Sequence, residues 1–172
     1  MKRNTHYSIG NSGGFTLVEI MIVVAIIALL AAIAIPNLLR ARLQANESAS
    51  IGTLRTVGTA EETLRAATTP PSFGDFDALY DTPVAAGQPP FLNIDGTTAT
   101  TIDDRQGYNF ALAGFDANTY CVTAVPVTQD TTGIRHFVTD GSGVIYGTAG
   151  GADPDCTGAA PFEWDGNGGP LQ

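Results

Sequence analysis

From Phe15 to Ile35 the chain runs for 21 residues that are apolar or uncharged except for one carboxylate, Glu19. As a helix rising about 1.5 Å per residue, such a segment would span roughly 31 Å, which matches the roughly 30 Å hydrocarbon core of a bilayer. Length and composition therefore predict a membrane-spanning helix. The carboxylate narrows the reading further, because an ionised side chain deep in hydrocarbon costs on the order of 3 kcal/mol and marks a functional position that needs a partner. Cleavage of the chain between Gly14 and Phe15 would create one. The new α-amine would lie four residues before Glu19, on the same face of a helix, and a new cation would meet an existing anion.

Two plainer readings stand beside this one. A secretory signal peptide has a 7 to 15 residue apolar core followed by a small-residue cleavage site. The core here is longer, although Ala31-Ala32-Ile33-Ala34 keeps conventional cleavage open. A plain anchor accounts for the length and leaves Glu19 unexplained. Charge does not orient the span, since Lys2 and Arg3 precede it while Arg40 and Arg42 follow it.

The segment resembles the type IV pilin and pseudopilin family. A short basic leader ending in glycine, an aromatic residue after it, Thr16-Leu17-Val18-Glu19 and then a Leu/Ile/Val/Ala helix form that family's signature. The resemblance implies a leader over residues 1–14, removed after Gly14 by a prepilin peptidase that also N-methylates Phe15. It implies that Glu19 neutralises the terminal amine of its own chain or a neighbour during assembly. It places the leader in the cytoplasm and the rest outside, so that the chain is a single-pass inner-membrane protein before assembly and part of an extracellular or periplasm-spanning filament afterwards. The implied partners are further copies of the chain in a helical filament, the peptidase and methyltransferase, an inner-membrane assembly platform and minor pilins. On this reading residues 15–36 form the transmembrane and filament-core segment and residues 37–172 an exported head.

Removing Lys2 and Arg3 with the leader takes the formal charge from −9 to −11. Counterion release requires clustered Lys and Arg, so no general nucleic-acid binding is expected. About 130 residues beyond the span suffice for one domain with its own core. Pro36 lacks the amide that would bond the Ala32 carbonyl, so a kink or loosened turn is expected there. Helix formers resume at once, and Ile51, Leu54, Val57 and Leu64 recur at helical spacing to about Ala66, beside Glu47, Arg55, Glu61, Glu62 and Arg65. The first half of this helix is apolar all round, as lipid or a filament core requires. The second half carries one apolar stripe, as a helix laid on a sheet requires.

Residues 68–106, with Pro70-Pro71, Pro83 and Pro89-Pro90, read as mostly loop. Strand-like runs follow at Tyr108 to Ala113, Tyr120 to Val127, Ile134 to Thr139 and Val144 to Gly147, with Asp140-Gly141-Ser142-Gly143 as a hairpin signal. Short connections predict antiparallel neighbours. The fold class is therefore α+β: a long N-terminal helix packed by its C-terminal half on a small antiparallel sheet of three or four strands. The runs from Tyr120 to Val127 and from Phe137 to Ile145 also resemble the C-terminal strands of bacterial pilin-like proteins.

Cys121 and Cys156 are the only cysteines, and an even count in an exported domain reads as one disulfide; many type IV pilins similarly carry a C-terminal disulfide-bounded loop. Two unpaired thiols are the alternative, while redox catalysis lacks a Cys-x-x-Cys. No cofactor is expected. Asp153 and Asp155, with Asp140 or Asp165, are weak calcium candidates through the resemblance to secretion pseudopilins, since no EF-hand spacing is present. His136, the one histidine after the leader, lacks a recognised catalytic partner and is expected to be an exposed strand residue. The sequence thus reads as a structural, non-enzymatic subunit of a type IV pilus-like filament. The alternatives are a type II secretion pseudopilin and, different in class, a membrane-anchored exported binding domain.

Overall fold

In a computed structural model, residues 14–80, 83, 86–93, 98–149, 156 and 168–170 are described. Helix α1 spans Leu17–Ala67 and contains Pro36 without interruption of the helical assignment. A one-turn helix α2, Phe76–Leu79, follows, with Asp75 as its N-cap accepting from the Ala78 amide at 2.8 Å. Among the described residues six strands complete the order: β1 Thr101–Arg105, β2 Tyr108–Ala113, β3 Cys121–Pro126, β4 Arg135–Asp140, β5 Ile145–Ala149 and β6 Gly168–Pro170. They form one antiparallel meander in sequence order.

The expected three or four strands are β2 to β5, found within two residues of their anticipated ends. Among the described residues the sheet carries two more strands, one at each edge. Strand β1 and helix α2 lie in the stretch read as loop, and β6 lies in the Gly-rich tail. The anticipated hairpin joins β4 to β5, where the Asp140 carbonyl accepts from the Gly143 amide at 2.9 Å and Gly143 takes a φ of +73° that glycine adopts without strain.

Contacts divide the chain into two units, Met1–Leu39 and Arg40–Gln172. The division falls three residues beyond the anticipated boundary at Pro36. The described part of the first unit is exposed helix, with Phe15, Leu17, Ile22, Leu29 and Ile35 all more than half exposed. By length and composition α1 is apolar enough to cross a membrane near its N-terminus.

The second unit contains its own core. Leu54, Val57, Ala60 and Leu64 of α1 pack with Phe76 and Leu79 of α2, and with Tyr108, Phe110, Leu112, Val122, Ala124 and Phe137 of the sheet. Strand β2 alternates buried and exposed residues along its length, as a sheet with one face on a helix must. Phe73 meets Tyr120 edge to face at 4.9 Å between ring centroids. The disulfide expected from the cysteine count joins Cys121 at the start of β3 to Cys156.

Candidate functional site

At the N-terminus of α1, Thr16 and Glu19 bond reciprocally. The Thr16 amide donates to Glu19 Oε2 at 2.8 Å, the Thr16 hydroxyl donates to the same oxygen at 2.7 Å, and the Glu19 amide donates to Thr16 Oγ1 at 3.2 Å. This is a capping box, formed by threonine at the cap and glutamate three residues on. It satisfies amides that the helix itself leaves open, and it sets an anion where the helix dipole is positive. The spacing Thr16-x-x-Glu19 carries this signal in the sequence. Thr16 is the residue that the sequence reading missed.

Gly14 and Phe15 lie outside the helix, which begins at Leu17, and Phe15 is 80% exposed. The Gly14–Phe15 peptide bond is therefore not tied into α1. A methyl group added at Gly14 would meet nothing within 4 Å. The fold of this chain thus imposes no requirement for glycine at 14; a requirement would have to come from whatever binds the junction.

In the second unit, two glutamates of α1 turn inward. Glu47 holds the start of β4: Oε1 accepts from the Ile134 and Arg135 amides at 3.1 and 3.2 Å, while Oε2 accepts from Arg135 Nε at 2.9 Å and pairs with a terminal guanidinium nitrogen at 2.8 Å. One residue earlier, Asn46 Nδ2 donates to the Thr132 carbonyl at 2.8 Å. Together they fasten the 128–135 connection to the helix. Glu61 is fully buried, with Oε2 accepting from the Gly74 amide at 3.2 Å and Oε1 without a partner. Desolvation, opposed by the Gly74 bond and reinforced by the charges of Asp75 and Glu62, pushes its carboxyl up to about 7. Glu47 and Glu61 share the buried face with Ser50, Leu54, Val57 and Leu64, and helical spacing alone aligns them.

His136 corrects an expectation: it is 5% exposed, and its Nε2 lies 3.0 Å from Gln129 Oε1. As the central part of β4 is covered on both faces, with His136 to Thr139 all buried, alternation does not place its residues outside. Asp153, Asp155 and Asp165, the weak calcium candidates, lie outside the described residues. Among the described residues no cluster of three or more His, Cys, Asp or Glu side chains is arranged for a metal ion.

Residues 9–35 match the family model described as the prokaryotic N-terminal methylation motif. The chain is 63% identical over 38 residues to the Type IV wide pilus major component PilA4 of Thermus thermophilus, covering 22% of this chain and 29% of that protein. It is 48% identical over 114 residues to the Type IV major pilin protein PilA of Myxococcus xanthus, covering 66% of this chain and 44% of that protein. The chain thus spans less than half the length of either relative. A methylation motif running directly into the apolar helix, an α+β head with its sheet against the second part of that helix, and similarity to two pilins together support a place for the chain in the type IV pilin family.

Proposed function

We propose that this chain is a structural subunit of a type IV pilus filament, cleaved between Gly14 and Phe15, N-methylated at Phe15 and polymerised through the first part of α1. The observation that carries this reading is Glu19, a carboxylate held at the start of a helix whose following turns are apolar and exposed. Before assembly the apolar segment lies in the inner membrane with the leader in the cytoplasm; afterwards the same surface is covered by neighbouring subunits. The partners are further copies of the chain, the processing peptidase and methyltransferase, the inner-membrane assembly platform and minor pilins.

Thr16 gives the carboxylate a resting arrangement. In the uncleaved chain Glu19 is satisfied by the Thr16 amide and hydroxyl, so it is not an orphan charge awaiting its partner. Cleavage adds an amine one residue before that cap. The carboxylate has further lone pairs beyond those that Thr16 fills, so it can accept from the amine of its own chain or of a neighbour. In a desolvated filament core, that charge-assisted bond is stronger than its counterpart in water.

The test replaces Glu19 by valine in a strain with this chain as the sole major subunit. If Glu19 served only insertion or local folding, Glu19→Val would be harmless or favourable, since it removes an ion from an apolar span. If it pairs with the Phe15 amine, the variant leaves that cation unpaired in a low-dielectric core, where breaking a buried pair costs about 3 to 5 kcal/mol. The expected result is cleaved, membrane-inserted protein with a sharply reduced yield of sheared filaments relative to membrane-bound subunit. A wild-type filament yield from the variant would overturn the assembly role.

A further inference from the structure

Strand β1 carries an irregularity that positions a cation. Its pairing with β2 shifts between Ile102 and Arg105, one extra residue lying on the β1 side. Asp104 and Gln106, on either side of Arg105, take φ angles of +45° and +56°, and Gly107 follows at +80°. Left-handed conformations at residues other than glycine persist only where their surroundings hold them, and they cluster at ligand sites. A bulge of this kind redirects a side chain.

The side chain so directed is Arg105. It lines a cleft of about 340 Å³ with Asn93, Gln106 and the Ala49, Gly52, Thr53 and Thr56 face of α1. Arg105 Nε is buried without a hydrogen-bond partner, and Arg105 takes part in no ion pair among the described residues, where Glu47–Arg135 is the pair formed. A guanidinium is never deprotonated in a protein, so the group stays charged, and among the described residues its terminal nitrogens, unlike the enclosed Nε, are the ones left to meet a ligand. The neighbouring Asp103 and Asp104 do not close on it. The Thr53 and Thr56 hydroxyl protons are already given to the Ala49 and Gly52 carbonyls at 3.1 and 2.9 Å. Among the described residues, the side-chain donors left uncommitted along the cleft are therefore the guanidinium and the Asn93 and Gln106 amides.

We propose that this cleft binds a small tetrahedral oxyanion of the phosphate class, with Arg105 as the charged donor and Asn93 and Gln106 as the amide donors beside it. The chemistry fits in sign and number: three donor-bearing side chains line one cleft, one of them cationic and planar, a form suited to paired oxygens. The remaining wall is uncharged helix, which excludes no anion by repulsion. Nothing in this assignment depends on filament assembly.

The test is thermal unfolding of the full chain in detergent, in sodium phosphate against sodium chloride at matched ionic strength and pH. Phosphate is expected to raise the wild-type Tm beyond the chloride control, since a ligand that binds only the folded state stabilises it by mass action. Arg105→Gln should raise the half-saturating phosphate concentration at least about tenfold, the size of effect expected when one charge-assisted donor is lost. Arg105→Lys, which keeps the charge without the fork, should fall between them. Arg55→Gln, at an exposed arginine outside the cleft, should respond as wild type. No phosphate effect on the wild type, or equal effects in wild type and Arg105→Lys with Arg55→Gln reduced, would overturn the assignment. If Arg105→Gln fails to fold, the Arg105→Lys comparison decides.

Discussion

Raising the pH should loosen the head through Glu61, and the size of the effect follows from its surroundings. The carboxyl is fully buried, and one oxygen accepts from the Gly74 amide while the other has no partner. Desolvation is the main influence on it, the charges of Asp75 and Glu62 add to that, and it adds to the burial that raises the Tyr120 hydroxyl; among the described residues no cation is found to offset its charge. Burial therefore lifts its pKa from 4.5 to about 7. The folded state binds the proton more tightly than the unfolded chain, so stability is fully present below about pH 4.5. It declines as pH rises through the interval between the two values and levels off above about pH 7. A difference of about 2.5 pKa units corresponds to roughly 3 kcal/mol, or on the order of 10 °C in Tm for a head of this size. Glu61→Gln keeps an oxygen for Gly74 and removes the charge. The assay is thermal unfolding of wild type and Glu61→Gln in detergent between pH 4.5 and 8.5, with the difference between the two curves isolating this carboxyl from other titrating groups. The variant is expected to gain stability relative to wild type as pH rises. Parallel curves over the whole range would refute the reasoning.

Two further perturbations act on the head. Glu47→Ala removes the acceptor of two backbone amides and of the Arg135 guanidinium; because Arg135 is 40% exposed and can rehydrate, the expected loss is about 2 to 3 kcal/mol, measured by denaturant unfolding, and Arg135→Ala added to it should cost little more. Reduction of Cys121–Cys156, which are 35 residues apart, releases a loop whose closure is worth up to about 4 kcal/mol in the chain-entropy model, so reductant should lower Tm while leaving filaments intact; an unchanged Tm would remove the disulfide as a staple.

Most of the fold was legible because two periods are written into the chain. Strands β2 to β5 show apolar runs separated by turn segments such as Asp116-Ala117-Asn118 and Asp140-Gly141, and such short connections leave only antiparallel pairing. Strand β1 was not legible, since Thr-Ile-Asp-Asp-Arg offers one buried side chain, Ile102, and is paired with a bulge rather than in a regular register. Strand β6, Gly-Gly-Pro, carries no side-chain pattern at all; its pairing with β5 comes from backbone groups alone. Glu47 and Glu61 were read as the polar flank of the helix because charge outweighed position. Counting by threes and fours from Leu54, as 47, 50, 54, 57, 61 and 64, would have placed both on the buried face. At the N-terminus, residue type points to Glu19, and its first partner, Thr16, is written in the capping-box spacing three residues earlier.

The central claim, that this chain is processed at Gly14–Phe15 and becomes a filament subunit, is tested most directly by the intact mass of the protein recovered from sheared surface filaments. The account predicts a chain whose first residue is Phe15, carrying one added methyl group, with Cys121 and Cys156 oxidised. Filaments lacking the chain, or a recovered chain that begins at Met1 or after the alanines near Ala34, would contradict it.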